Sequence, residues 1–391
     1  MNSFRPTTTM PNRPLPATVA SSRIELSTGT LRVWNSDPGK DFGGICCFGA
    51  RLNPRRGFLF VSKVNGRYRA VPPSVLDEQA TALAESISSQ LPGPVAFVGI
   101  SEAGIAIGSS VFGTWIRRAN RSDCIFVQST RQVADSATAF SFEEKHSHAR
   151  HHRVYVPRKP AARQLLQSAR TLVLIDDEIT TGRTMAYSVL AARNFCAELQ
   201  TVRQVTLMDW SGGNASFTNG SITGLHTTTS ALWTGTYDFQ KSKTHPRIPD
   251  PTVSEQSDRM VLRADSECAV GQTLPSKFVP PTMKGPAPQP GERVLVIGTG
   301  EFQVWPLALA RYLEQIGCEA VFQTTTRAPV KIEAAIENRF ELKDTYGGDF
   351  PCFLYNVHPA EYDRVLFCVE DDRQVVCEKL LEALNAEVVF A

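Results

Sequence analysis

Four short apolar runs alternate with stretches of helical period: VAFVGI (95–100), CIFVQS (124–129), LVLIDD (172–177) and QVTLMDW (204–210). A strand buried on both faces reads as continuous apolar sequence, whereas a half-exposed strand alternates apolar with polar. The intervening segments SVLDEQATALAESISSQL (74–91), GIAIGSSVFGTWIRRA (104–119) and TMAYSVLAARNFCAEL (184–199) space their apolar residues as helices do. Ser74 is placed to cap the first. This alternation constrains the chain to an α/β fold, a parallel sheet with flanking helices on both faces. Upstream, GFLFVSKVNGRYRAV (57–71) has strand composition on both sides of Asn65-Gly66 and predicts a hairpin with a two-residue turn.

Composition divides the chain into four segments. Residues 1–22 are rich in Pro, Thr and Ser, lack a period and read as a disordered tail. Residues 23–240 hold the alternating pattern. Residues 241–292 contain nine of the 25 prolines and read as a Pro-rich linker, with one short apolar piece, MVLRA, at Met260–Ala264. Residues 293–391 repeat the logic in a smaller α/β domain: RVLVIG (293–298), WPLALARYLEQIG (305–317), EAVFQTT (319–325), FLYNV (353–357), RVLFCVE (364–370), then a last helix and strand. With 41 basic and 39 acidic residues, the net charge of +2 leaves no electrostatic footprint for nucleic acid or membrane. No apolar run has spanning length and no secretory segment opens the chain, so a cytoplasmic protein is expected. The nine cysteines are odd in number and none forms a CxxC pair, which argues against a disulfide framework or a cysteine zinc site.

The chemistry concentrates in LVLIDDEITTGRTM (172–185). A buried strand delivers Asp176 and Asp177 to its carboxyl end, where ligands of open α/β sheets bind. Thr180, Thr181, Gly182, Arg183 and Thr184 then present hydroxyls and backbone N–H groups at a helix N-terminus, an anion cradle. Two carboxylates beside a phosphate cradle suit a ribose 5-phosphate: the acids accept from ring hydroxyls and the turn holds the phosphate. Ser101, Glu102, Ala103 and Gly104 follow the first core strand, Arg131 follows the second, and Asp209 and Trp210 end the strand after the motif.

The run 172–185 resembles the PRPP-binding motif of type I phosphoribosyltransferases. The resemblance implies that Ser101–Gly104 form the loop that helps bind pyrophosphate and that the Arg131 guanidinium can meet the diphosphate there. It also implies that Asp209 and Trp210, with Lys63, are candidates for an acceptor pocket. A narrower resemblance lies in FGARLNPRRGFLFVSKVNGRY, FVGISEAG, EEKHSHA and LMDW, which look like the subfamily of tellurite-resistance-associated gene clusters. VLVIGTGEF, FQTTTRAPV, FLYNV and YDRVLFCVE look like its companion, the TRSP domain, with Thr326-Arg327-Ala328-Pro329 in place of Thr-Arg-Ser-Pro. The family implies an enzyme that uses PRPP, with Mg²⁺ bridged by substrate, to transfer or remove a 5-phosphoribosyl group on a base-like acceptor in a stress-associated pathway. Type I relatives are commonly dimers, so a homodimer is implied too. The other reading is a non-catalytic PRPP- or nucleotide-sensing regulator. Against it stand the near-neutral charge and the lack of a helix-turn-helix pattern.

The two α/β blocks align as an internal repeat: Gly99 with Gly298, Gln128 with Gln323, Asp176 with Glu370. The second copy keeps acids at Glu370, Asp371 and Asp372 but has Arg373, Gln374 and Val375 where the cradle stood. It is therefore not expected to be a second PRPP site. Gly298, Thr299, Gly300, Glu301, Thr326 and Arg327 are candidates there for a different anionic ligand, for completing the acceptor pocket or for a purely structural role. Finally, EEKHSHARHH (143–152) holds four of the seven histidines. Extended, His146 and His148 share a face, which admits a metal pair; a solvated loop is the second reading, and the resemblance to type I phosphoribosyltransferases implies a third, a lid closing over PRPP. The matching interval of the second copy, FELKDTYGGDF (340–350), has no histidine, which favours the lid and makes Glu143, His146 and His148 catalytic candidates.

Overall fold

The computed structural model describes residues 21–37, 39–53, 56–143, 151–213, 224–242, 260–263, 265–267, 278–281 and 285–391. The first block runs β1 (Ser21–Leu26), β2 (Gly29–Asn35), β3 (Cys46–Ala50), β4 (Phe58–Ser62), α1 (Pro73–Glu85), β5 (Val95–Gly99), α2 (Gly104–Ala119), β6 (Cys124–Gln128), β7 (Thr138–Glu143), β8 (His151–Tyr155), α3 (Pro160–Gln167), β9 (Thr171–Ile179), α4 (Arg183–Ala192), β10 (Thr201–Asp209) and β11 (His226–Lys241). The second runs β12 (Arg293–Gly298), α5 (Val304–Gln315), β13 (Glu319–Thr324), β14 (Arg339–Lys343), β15 (Pro351–Tyr355), β16 (Arg364–Val369), α6 (Glu378–Leu384) and β17 (Ala386–Phe390). None of the described helices is long and apolar enough to cross a membrane.

The main sheet has the order β1-β2-β11-β10-β9-β5-β6, with β11, β10, β9, β5 and β6 parallel. Side chains of β9 alternate between two cores. Val173 and Ile175 pack with Leu76 of α1 and Phe112 and Trp115 of α2, while Leu172 and Leu174 pack with Leu166 of α3 and Val189 of α4. Both faces are thus covered, which is why these strands read as unbroken apolar runs. Gly104 lets α2 start against β9: a Cβ there would lie 2.1 Å from the Ile175 carbonyl oxygen.

The second sheet, β13-β12-β16-β17, is all parallel and has the strand order of β6-β5-β9-β10. Each copy also inserts an antiparallel hairpin between its second and third core strands, β7–β8 in the first and β14–β15 in the second. Finer details recur. The Tyr155 hydroxyl donates to the Gln132 carbonyl and accepts from the Ala134 N–H, both at 2.9 Å; the Tyr355 hydroxyl does the same with Ala328 and Val330 at 2.8 Å. The internal repeat is therefore present, but in a different register. Gly99 pairs with Gln128 and Gly298 with Thr324, so Gln128 matches Thr324 rather than Gln323. Gly99 also pairs with Ile175, and Ile297 with Phe367, which matches Asp177, not Asp176, to Glu370. A one-residue slip is invisible in a strand apolar on both faces.

The copies share one hydrophobic core. Leu307, Leu309 and Ala310 of α5 and Phe322 of β13 join the cluster of α1 and α2. Arg311 of α5 makes a two-pronged ion pair with Asp77 of α1, at 2.8 and 2.6 Å.

Three local expectations change. The hairpin is β3–β4, and Asn65-Gly66 is not its turn. After Ser62 the chain leaves the hairpin and follows the edge strand β13: Thr324 donates to the Gly66 carbonyl at 2.8 Å, and Val71 bridges Phe322. Ser74 does not cap α1. The prolines at 72 and 73 open that helix, and the Ser74 hydroxyl donates to Glu314 at 2.6 Å. Ser21 and Ser22, assigned to the tail, already belong to β1, which is paired with β2.

Candidate active site

The carboxyl ends of β5, β6 and β9 converge on one solvent-open cleft with a cavity volume of about 150 Å³. β9 runs on through Asp176, Asp177 and Glu178 to Ile179, and then turns through Thr180–Gly182 into α4. Gly182, at φ +70°, occupies the left-handed conformation at the helix N-cap that glycine adopts without strain. Asp176–Met185 form one wall, Ser101, Glu102 and Ala103 another, and Arg51, Arg56, Arg67, Tyr68 and Arg131 supply most of the rest. The Ser101–Glu102 peptide is cis.

The acids differ in their surroundings. Asp176 accepts from the backbone N–H of Asp177 at 2.9 Å. Asp177 is buried and accepts from Asn65 Nδ2 at 3.2 Å. Burial, then the charge of Glu178, pushes its pKa up to about 6 against the pull of Arg67. Glu178 forms a two-pronged pair with Arg56, at 2.7 and 3.1 Å. Glu102 is the reverse case. Burial would raise it, but Arg67, Arg131, Arg327 and the hydroxyl of Thr326 bring it down to about 2. Burial disfavours the Arg67 charge, yet Tyr68, Glu102, Asp177 and Asp176 outweigh it and hold the guanidinium protonated.

Of the residues singled out in the sequence, Asp176, Asp177, Thr180, Thr181, Gly182, Arg183, Thr184, Ser101, Glu102, Ala103 and Arg131 all line this cleft. Gly104 sits immediately behind the loop, at the start of α2. The acceptor-pocket candidates do not line it. Trp210 stacks on Phe60 at 4.3 Å within an aromatic cluster, Asp209 accepts from the Ser211 N–H of its own turn at 2.8 Å, and the Lys63 amine donates to the Gly43 carbonyl at 2.6 Å. Glu143 lies outside the lining as well, 3.5 Å from His151 Nδ1. His146 and His148 lie outside the described residues.

In the second copy, Gly300 donates to the Thr325 hydroxyl, Thr299 to the Cys368 carbonyl, and Thr326 and Glu301 bond to the first copy. Arg56, Arg67, Asn65, Arg51, Tyr68 and Glu178 were not anticipated in the site. The Arg-rich stretch RLNPRRGF (51–58) was visible, but which arginines reach the cleft depends on the β3–β4 hairpin and on β13.

Residues 45–236 match a family described as phosphoribosyl transferase, and residues 276–384 match the TRSP domain that lies C-terminal to it. No curated protein matches the chain. Among solved structures, an adenine phosphoribosyl transferase from Trypanosoma brucei, in complex with AMP, pyrophosphate and ribose-5-phosphate, is 16% identical over 51% of this chain and 82% of that one, with a TM-score of 0.34. The Giardia lamblia enzyme complexed with 9-deazaadenine is 14% identical over 49% and 95%, at 0.33. A purine phosphoribosyltransferase from Pyrococcus horikoshii is 15% identical over 34% and 72%, at 0.22. Through its two consecutive family matches, the chain belongs to the phosphoribosyl transferase family that carries a C-terminal TRSP domain.

Proposed function

We propose that the protein transfers a 5-phosphoribosyl group between PRPP and a base-like acceptor, with Mg²⁺ carried on the substrate oxygens. The observation that carries this is the meeting, across one cleft, of the acids and hydroxyl cradle of Asp176–Thr184 with the Ser101–Ala103 loop and Arg131.

In this reading Thr180–Thr184 hold the 5′-phosphate at the N-terminus of α4. Asp176 and Asp177 accept from the 2′ and 3′ hydroxyls, with Asn65 steadying Asp177. Ser101–Ala103 and Arg131 receive the diphosphate. As a nitrogen of the acceptor bonds to C1, the C1–O bond breaks, the electron pair leaves with pyrophosphate, and the acceptor gives up its proton. Cationic charge grows on the ribose, so the protein's part is to position both partners and to stabilise the leaving group. The oxygen donors of Asp176 and Asp177 fit a hard cation that keeps waters and bridges substrate. When bound, Mg²⁺ supplies charge neutralisation of the diphosphate.

The β7–β8 hairpin is the proposed lid, with Glu143 on it and with His146 and His148, which lie outside the described residues, as its catalytic candidates. His152 supports this by tying the hairpin to the loop: it is fully buried, stacks on Phe142, and its Nδ1 lies 3.3 Å from the Ser101 hydroxyl and 3.2 Å from that of Ser129.

The test is pyrophosphate release from PRPP, Mg²⁺ and a panel of nucleobases. Release is expected with at least one base. An Asp176→Asn/Asp177→Asn variant should fold normally by circular dichroism and release none; full activity in that variant overturns the proposal.

A further inference from the structure

The loops that follow β5 and β12 grip each other across the two copies. Glu102 accepts from the Thr326 hydroxyl at 2.6 Å and from the Arg327 backbone N–H at 3.4 Å. Glu301 accepts from the Arg131 backbone N–H at 3.0 Å and from the Thr130 hydroxyl. Thr130-Arg131 and Thr326-Arg327 occupy the same place after β6 and β13, and Glu102 and Glu301 the same place after β5 and β12. Each carboxylate therefore crosses to the same two residues of the other copy. This is the reciprocal pattern of an isologous dimer, here within one chain. Gln303 Nε2 donates to the Glu102 carbonyl at 3.0 Å, and Gln128 Nε2 to that of Glu301 at 3.1 Å.

The copies differ in what they leave open. In the second copy, the cavity beside Gly300, Glu301 and Arg327, the counterparts of Ser101, Glu102 and Arg131, holds only about 10 Å³ and is closed in by Asp344, Tyr346 and Cys352 from that copy's own hairpin region. Its acids are already engaged: Glu370 accepts from the Tyr346 hydroxyl at 2.8 Å and the Glu267 N–H at 3.0 Å, and Asp371 pairs with Arg373. Glu267, from the segment joining the copies, accepts from the backbone N–H groups of Gln303, Val304 and Trp305 at 2.9, 2.8 and 2.8 Å, taking up the N-terminus of α5. The second copy has kept the surface that faces a partner and filled the site that would face a substrate.

We infer that the C-terminal domain is a built-in, catalytically silent partner whose Thr326 positions the pyrophosphate loop of the active copy. The Thr326 hydroxyl donates to Glu102 and accepts from Arg67 Nε and Nη2, each at 3.3 Å. Glu102 in turn holds Arg67 at 3.1 Å and lies 3.7 Å from Arg131, so the carboxylate that orients these two cleft-lining guanidinium groups is itself held by a residue of the other copy. Thr326 is a positioning residue, and the inference rests on reading the cleft as a PRPP site.

The test is calorimetric titration of the full-length chain with magnesium pyrophosphate and with PRPP. Thr326→Val keeps the shape and removes the hydroxyl; it should weaken pyrophosphate binding about tenfold or more, as expected for a lost bond to a charged group. Thr326→Ser should restore affinity. Arg311→Gln, which breaks the Asp77 pair elsewhere on the interface, should lower Tm and leave pyrophosphate affinity unchanged. Wild-type affinity in a folded Thr326→Val protein, or no recovery with serine, overturns the inference. A wild-type chain that binds neither ligand overturns the reading of the cleft itself, and this inference with it.

Discussion

Asn65 donates to Asp177 across 3.2 Å, tying the segment that runs along the second domain to the acid pair of the first. Both residues are buried, and the side-chain Oδ1 of Asn65 accepts from the Arg67 backbone N–H. Asn65→Leu removes a hydrogen bond to a carboxylate, worth about 1.5–3 kcal/mol. The expected result is a fall in kcat/KM for PRPP of about tenfold or more. The acid limb of the pH–rate profile should also move to higher pH, because Asp177 loses a donor that favours its charged form.

Asp177 in the wild type, raised to about 6, predicts that kcat/KM climbs between about pH 5 and 7 as the carboxylate forms. Stability runs the other way. The folded pKa lies above the ordinary 3.8, so the contribution is present below that value and is lost as pH rises through about 6. Asp177→Asn should therefore be inactive, yet melt higher than wild type at neutral pH, with the difference vanishing near pH 4. Glu102 has the opposite sign: held down to about 2, it stabilises the fold above its ordinary 4.5 and loses that contribution as pH falls towards 2. Melting curves of Glu102→Gln should converge with wild type only in strong acid.

Gly104→Ala forces a Cβ to within 2.1 Å of the Ile175 carbonyl oxygen, so α2 or β9 must shift. The cost should be about 1–3 kcal/mol in urea unfolding. Because the displaced residue follows Ala103 directly, pyrophosphate affinity should fall in the folded fraction as well.

Trp210 is a core residue in contact with Phe60 and Phe42. Trp210→Ala should cost about 3–5 kcal/mol of stability. Trp210→Phe, which retains an aromatic partner for Phe60, should leave KM for the acceptor unchanged. A large change in that KM at constant stability would return Trp210 to the acceptor pocket.

The helix over 104–119 was legible to the residue, because its apolar spacing, its glycine start and its flanking strands are local features. That the acid pair and the polar turn after it share one wall of the cleft was legible for the same reason: they are contiguous in the chain. Asn65-Gly66 was misread because turn chemistry is also local, and nothing within 57–71 reveals that β13 offers this segment a partner. The arginines of 51–58 were visible as charges but not as site residues, since Arg56 meets Glu178, 122 positions further along the chain, only in the folded structure. Trp210 looked placed for a ligand because it ends a core strand; the aromatic cluster that claims it comes from β4 and the segment before β3.

What the sequence by itself determined is the pair of α/β blocks, the strand that carries Asp176 and Asp177, the polar turn after it, and the likeness between the two halves. All of these follow from apolar period and short-range chemistry, which act over a few residues. Tertiary structure alone decided the register of the repeat, the capture of Asn65 and Arg67 by the site, and the reciprocal grip of Glu102 and Glu301. Those depend on pairings such as Arg67 with Thr326, 259 residues apart. A buried carboxylate such as Glu102 must find its donors wherever the fold brings them, and here the fold brought them from the other copy.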